Sequence, residues 1–146
     1  MNPDPAPASE ARAKDRSFLV SEDIRPGVRA GRPGYLIRVR LTSYRSLPLS
    51  CIENIELRVD GAPVEPERLT LILNGSGHKL PELGRLSHLW WWILDYADLF
   101  VESAAPLAPG EHLVEGTLVT VEPYVTGGRF SFYYPSQKRL SVAQDL

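Results

Sequence analysis

The chain has one cysteine, Cys51, three histidines and no long apolar run. A single thiol excludes an internal disulfide and a cysteine-built zinc cluster. Beside Ile52, Cys51 reads as a small buried residue rather than a reactive one. Charge of one sign is also missing: 18 acidic residues face 16 basic ones in 146, a net charge of −2. Neither nucleic acid nor an anionic membrane has an electrostatic hold on such a chain. No stretch approaches transmembrane length, since Trp90–Leu94 is bracketed by His88 and Asp95. His78, His88 and His112 show no i,i+2 or i,i+4 pairing, so no metal-ligand spacing is preformed. A Gly-x-Ser-x-Gly elbow is absent, and Asn74-Gly75-Ser76-Gly77 opens no Lys-bearing helix and is a hairpin turn, not a phosphate cradle. No active site is legible in these residues.

What the chain has in quantity is short alternating segments punctuated by proline and glycine. Tyr35, Ile37, Val39 and Leu41 alternate with Leu36, Arg38, Arg40 and Thr42, and Ile55, Leu57 and Val59 alternate with Glu56, Arg58 and Asp60. Period two sends one set of side chains to a buried face and the other to water, which predicts half-buried strands. Leu69–Leu73, Leu99–Val101, Leu113–Val121 and Phe130–Tyr134 add further strands, and Ser17–Val20 a short one. Arg25-Pro26-Gly27 and Gly31–Gly34 read as turns, as does the acidic stretch Asp95–Asp98. Glu65–Glu67 reads as one helical turn, and Pro81–Ser87 as a short helix. The expectation is an all-β, single-domain antiparallel β-sandwich of about eight or nine short strands with little helix. Residues 17–146 form that domain. Residues 1–16, with Pro3, Pro5 and Pro7 and no apolar run, read as a disordered tail without a secretory signal, and so as part of a cytoplasmic protein. The polar stretch Gln137–Leu146 is expected to fray.

Two stretches exceed what a solvated loop needs. Tyr44–Glu53 joins two strands and carries a phenol, a guanidinium, a thiol and two leucines, with Pro48 unable to donate to a ladder. Trp90-Trp91-Trp92 must alternate if extended, so at least one indole points away from the core. Each buried indole hides ~150–250 Å², and such area left exposed invites association. Tyr44, Arg45, Ser46, Pro48 and Leu49, together with Trp90, Trp91 and Trp92, are the candidate partner surface. A corner packed on its own core accounts for them equally well at this point.

Tyr44-Arg45-Ser46-Leu47-Pro48-Leu49-Ser50-Cys51-Ile52-Glu53, followed by Val59-Asp60-Gly61, the tryptophans and Leu107-Ala108-Pro109-Gly110-Glu111-His112, resembles the small (β) subunit of bacterial C-glycoside deglycosidases. The resemblance spans Tyr35 to Val121. It implies a non-catalytic subunit with no catalytic or metal-binding residue and no cofactor of its own. Its partner would be a larger TIM-barrel α subunit holding a divalent metal, Mn²⁺ by preference. The complex would be a carbon–carbon lyase that cleaves the bond between a 3-oxo sugar and an aromatic aglycone. Two other classes fit the residues without the resemblance: a stand-alone carbohydrate-binding module stacking sugars on tryptophan, and a structural β domain without a ligand.

Overall fold

The computed structural model describes residues 17–43, 45–123 and 130–143. The expected tail, residues 1–16, lies outside the described residues, as does Tyr44. The described chain forms eleven strands: β1 Asp23–Arg29, β2 Arg32–Arg40, β3 Leu47–Pro48, β4 Ile52–Val59, β5 Ala62–Pro63, β6 Leu69–Leu73, β7 Ser76–Lys79, β8 Trp90–Trp91, β9 Tyr96–Glu102, β10 Gly110–Val121 and β11 Ser131–Val142. Short 3₁₀ turns at Leu49–Cys51, Pro66–Arg68 and Leu80–Arg85 supply the described helix beyond a single residue, so the expected helical turns are there in this tighter form.

The all-β expectation holds, with more strands than expected and a particular connection between them. Nine strands hydrogen-bond in one curled sheet, ordered β5-β4-β10-β11-β1-β2-β9-β6-β7, while β3 and β8 pair separately. The sheet doubles over at β1. That strand pairs in parallel with β11 through Asp23↔Ser141 and Ile24↔Val142, then antiparallel with β2 from Arg25 to Arg29. Every other described pairing is antiparallel. The alternating residues do what period two demands: Ile37 and Val39 of β2, Leu57 of β4, Leu99 of β9 and Leu118 of β10 are buried in one continuous core. Leu83, in the 3₁₀ turn after β7, is 1% exposed and joins the same core.

Three hairpins close on dipeptides with positive φ at both residues: Ala30-Gly31, Asp60-Gly61 and Asn74-Gly75. That pair of left-handed residues matches the twist of the strands it joins, and glycine at the second place carries no Cβ penalty. Asn74-Gly75 is the turn the sequence announces. Arg25-Pro26-Gly27 is not a turn but the middle of β1, and of the predicted turn at Gly31–Gly34 only Gly31 turns while Arg32, Pro33 and Gly34 open β2. Both prolines sit where a strand has a neighbour on one side only. Pro26 lies beyond the last β1 residue that pairs with β11, and Pro33 precedes the first β2 residue that pairs with β9. Ser17–Val20 forms an isolated bridge, Leu19↔Val39, rather than a strand. The turn predicted at Asp95–Asp98 falls at Trp92–Asp95 instead, where the Asp95 N–H donates to the Trp92 carbonyl at 2.9 Å. Gln137–Val142 does not fray: these residues pair with β10 from Glu115 to Gly110. No helix among the described residues is long and apolar enough to cross a membrane.

Candidate partner interface

The strand registers gather the notable stretches at two opposite ends of the sheet. At one end, which we call the corner end, β2 stops at Arg40 opposite Tyr96, β4 starts at Ile52 opposite Thr120, and β10 stops at Val121 opposite Ser131. Arg45–Glu53 and the tryptophans lie here. At the other, the hairpin end, β4 stops at Val59 opposite Val114, β9 stops at Glu102 opposite Gly34, and β10 starts at Gly110 opposite Val142. Asp60-Gly61 and Leu107–His112 lie there.

At the corner end the chain folds into a small scaffold of its own. Leu47 pairs with Trp91 and Pro48 with Trp90. The Leu49 N–H donates to the Leu89 carbonyl at 2.8 Å, and Ser50 N–H to Leu86 at 3.3 Å. Ser46 is half-buried, and its Oγ accepts the Ile93 N–H at 2.7 Å. Ser43 Oγ donates to the Arg45 carbonyl at 2.8 Å. All but the last of these bonds tie the two halves of the predicted surface together, although about forty residues separate them in sequence.

The predicted surface divides into core and exterior. Leu49 and Trp91 are fully buried, so the core reading holds for both. Trp91 Nε1–H donates to the Asp95 carbonyl at 3.0 Å, which leaves the indole without an unsatisfied polar atom. Arg45 is exposed and Pro48 half-buried. Trp90 and Trp92 point outward at 44% and 57% exposure, as alternation requires. Their rings stack at 6.0 Å between centroids with 23° between planes, giving one continuous aromatic ledge. Leu94, in the following turn, and Tyr96, the first residue of β9, are exposed as well, with the Arg38 guanidinium 6.0 Å from the Tyr96 ring centroid. Sequence reasoning passed over both, since the turn at Trp92–Asp95 breaks the alternation that placed the tryptophans.

Also missed were two polar clusters that no spacing signals. Near the corner end, the buried carboxylate of Glu122 accepts hydrogen bonds at Oε2 from Thr120 Oγ1 (2.6 Å) and from the Tyr134 hydroxyl. Partial burial, with the Glu122 charge adding, pushes the Cys51 thiol above its ordinary pKa. A thiol held protonated is a poor nucleophile, in agreement with the structural reading of Cys51. At the hairpin end, Asp60 and His112 meet across fifty-two positions of sequence. His112 Nδ1 lies 2.6 Å from Asp60 Oδ2, and Nε2 lies 2.7 Å from the Ala108 carbonyl. Asp60 Oδ1 accepts the Leu113 N–H at 2.9 Å. Both histidine partners are acceptors, an arrangement that favours the ring with a proton on each nitrogen. The Ala108 and Asp60 bonds accordingly hold the His112 pKa above its usual value, and the His112 bond, with the Leu113 amide, lowers that of Asp60. The ring is thereby a clasp between the β4–β5 turn and the Leu107–Gly110 loop. Among the described residues no three of His, Cys, Asp and Glu come together to hold a metal.

Residues 15–124 match the family described as C-glycoside deglycosidase beta subunit. The chain is 35% identical over 117 residues to the 3'-dehydrocarminate deglycosidase beta subunit of a Microbacterium species, covering 79% of this chain and 88% of that one. It is 35% identical over 102 residues to a C-glycoside deglycosidase beta subunit of Microbacterium trichothecenolyticum, covering 67% and 74%. A beta subunit of Arthrobacter globiformis is 33% identical over 89 residues, 61% of this chain and 68% of the relative.

Proposed function

Because the chain belongs to the C-glycoside deglycosidase beta subunit family, we propose that it is the non-catalytic small subunit of a heteromeric C-glycoside deglycosidase. The observation that carries this reading is the match over residues 15–124, which takes in both ends of the sheet and most of the strands between them. The partner is a larger TIM-barrel subunit, and the complex splits the carbon–carbon bond between a 3-oxo sugar and an aromatic aglycone. A ketone at C3 acidifies the C2 proton, a base removes it, and the aglycone carbon leaves C1 with the bonding electrons and takes up a proton, so that the sugar becomes a C1–C2 enone. The metal, Mn²⁺ in this proposal, is assigned to the partner on the family resemblance, where it would act as a Lewis acid. This chain docks through the corner end, with Trp90, Trp92, Arg45 and the flanking Tyr44 as its contact groups. Tyr, Trp and Arg are the residues that dominate such contacts, because they hide much area while freezing few rotamers.

The test is reconstitution with the larger subunit encoded by the neighbouring reading frame. The two chains are expected to co-elute and to release aglycone from a 3-oxo C-glycoside, with the small chain inactive alone and without a stoichiometric Mn²⁺ site by calorimetry. Activity or tight metal binding in the isolated chain would overturn the assignment. One observation favours a second reading: stacked, outward indoles also suit a sugar ring, as in carbohydrate-binding modules. Retention of the lone chain on a polysaccharide column, with no affinity for the larger subunit, would select it.

A further inference from the structure

Leu94 is 89% exposed, more than any other large apolar side chain of the described residues. Isolated surface leucines are ordinary. This one differs in what holds it. It stands in the Trp92–Asp95 turn, which is closed by the Asp95 N–H to Trp92 carbonyl bond. The residue before it is pinned by its own N–H to Ser46 Oγ at 2.7 Å. The residue after it gives its carbonyl to the Nε1–H of Trp91, whose ring is fully buried. Three hydrogen bonds and a buried indole therefore fix the backbone under a side chain that touches little of its own molecule. Trp92, at 57% exposure, and Tyr96, at 51%, flank the turn in sequence.

An apolar group displayed on a rigid base meets the two conditions of an interface anchor. It hides its area on docking, and no loop has to be ordered for it to do so. We infer that Leu94 is a preformed knob that enters an apolar socket of the larger subunit. The Asp95 carboxylate, half-buried and without an ion pair among the described residues, stands next to it. The socket is thus apolar within and carries a lysine or arginine on the rim that faces Asp95. A weakly steered rim pair of this kind alters salt dependence more than affinity. The inference rests on the accessory-subunit reading and adds to it the residue that anchors the contact and the chemistry of the surface that receives it.

The experiment titrates the full-length chain against the larger subunit of the neighbouring reading frame, with thermal melts of each lone variant alongside. Leu94→Asp is expected to weaken association by at least about 30-fold, and Leu94→Met by no more than about threefold, with melts unchanged. Asp95→Asn is expected to leave affinity within about fivefold and to flatten its dependence on salt. If wild type binds and Leu94→Asp binds as tightly, the knob is overturned while the subunit reading stands. If wild type does not bind the larger subunit at all, both fall together. Should Leu94→Asp instead turn a self-associating lone chain into a monomer and leave the larger subunit's affinity intact, the knob's occupant is a second copy and this inference is wrong.

Discussion

The two ends of the sheet answer the same problem, how to finish strands without stranding their groups, in opposite ways. At the hairpin end the solution is polar and internal: Asp60 takes the Leu113 amide on one oxygen and His112 on the other, and the second ring nitrogen of His112 hydrogen-bonds the Ala108 carbonyl. At the corner end Trp91 and Leu49 are driven inward while Trp90, Trp92, Leu94 and Tyr96 are left facing out. A closed hydrogen-bond set asks nothing of a second molecule. A surplus of outward aromatic area does, since covering it is the favourable step. The comparison teaches that adjacent residues can belong to different problems: Trp91 fills the core, and its two neighbours leave their rings in solvent.

The largest expected effect separates those neighbours. Trp91→Ala opens a cavity where an indole is fully buried and should destabilise the lone chain by ~3–5 kcal/mol in a denaturant melt. Trp92→Ala and Trp90→Ala should leave that melt nearly unchanged and weaken association with the larger subunit by ~2 kcal/mol or more, read by titration calorimetry. Arg45→Ala belongs with them. Equal melts for all three tryptophan variants would erase the distinction between core and exterior at this end.

Smaller effects are expected at the hairpin end. His112→Gln keeps a donor but cannot carry two protons and a charge, so it should lower the melting temperature by on the order of a few degrees at pH 6. Smaller still is the pH dependence of the wild type. His112 has a folded pKa raised above 6.5, so its contribution is complete below pH 6.5 and is lost as pH rises through the elevated value. Asp60 has a folded pKa lowered from 3.8, so its contribution is complete above that value and is lost as pH falls through the depressed one. The clasp's own contribution is therefore level from about pH 4 to 6.5, with a decline on the alkaline side that His112→Gln removes. A variant and wild type that diverge equally at pH 6 and pH 9 would show that the clasp holds without its second proton.

What was legible in the sequence was whatever depends on near neighbours. Alternation located β2, β4 and β6, and within Trp90–Trp92 it foretold that the middle indole would oppose the outer two. Asn74-Gly75 declared its turn because both φ values it must adopt suit those two residues. The mistake at Arg25-Pro26-Gly27 came from reading proline as punctuation, when a strand with one open side tolerates it. The Asp60–His112 clasp could not be read at all. Its partners lie fifty-two residues apart and become neighbours only because β10 lies against β4. The Glu122 cluster has the same character, since Tyr134 reaches it from the adjoining strand.

The doubling of the sheet at β1 also fixes the order in which this protein can be completed during synthesis. Of the described strands β1 leaves the ribosome first, yet its outer neighbour is β11, and Ile24 must wait for Val142. β10 waits as well, since only β11 covers its second edge. A nascent chain therefore carries two open strand edges, together with the outward tryptophans, until the last described strand emerges. Sheets that close through distant pairings form slowly, and open edges recruit other chains in the meantime. A larger subunit already present when β11 emerges would meet the corner end while the sheet is closing, so assembly and the last step of folding compete on the same clock.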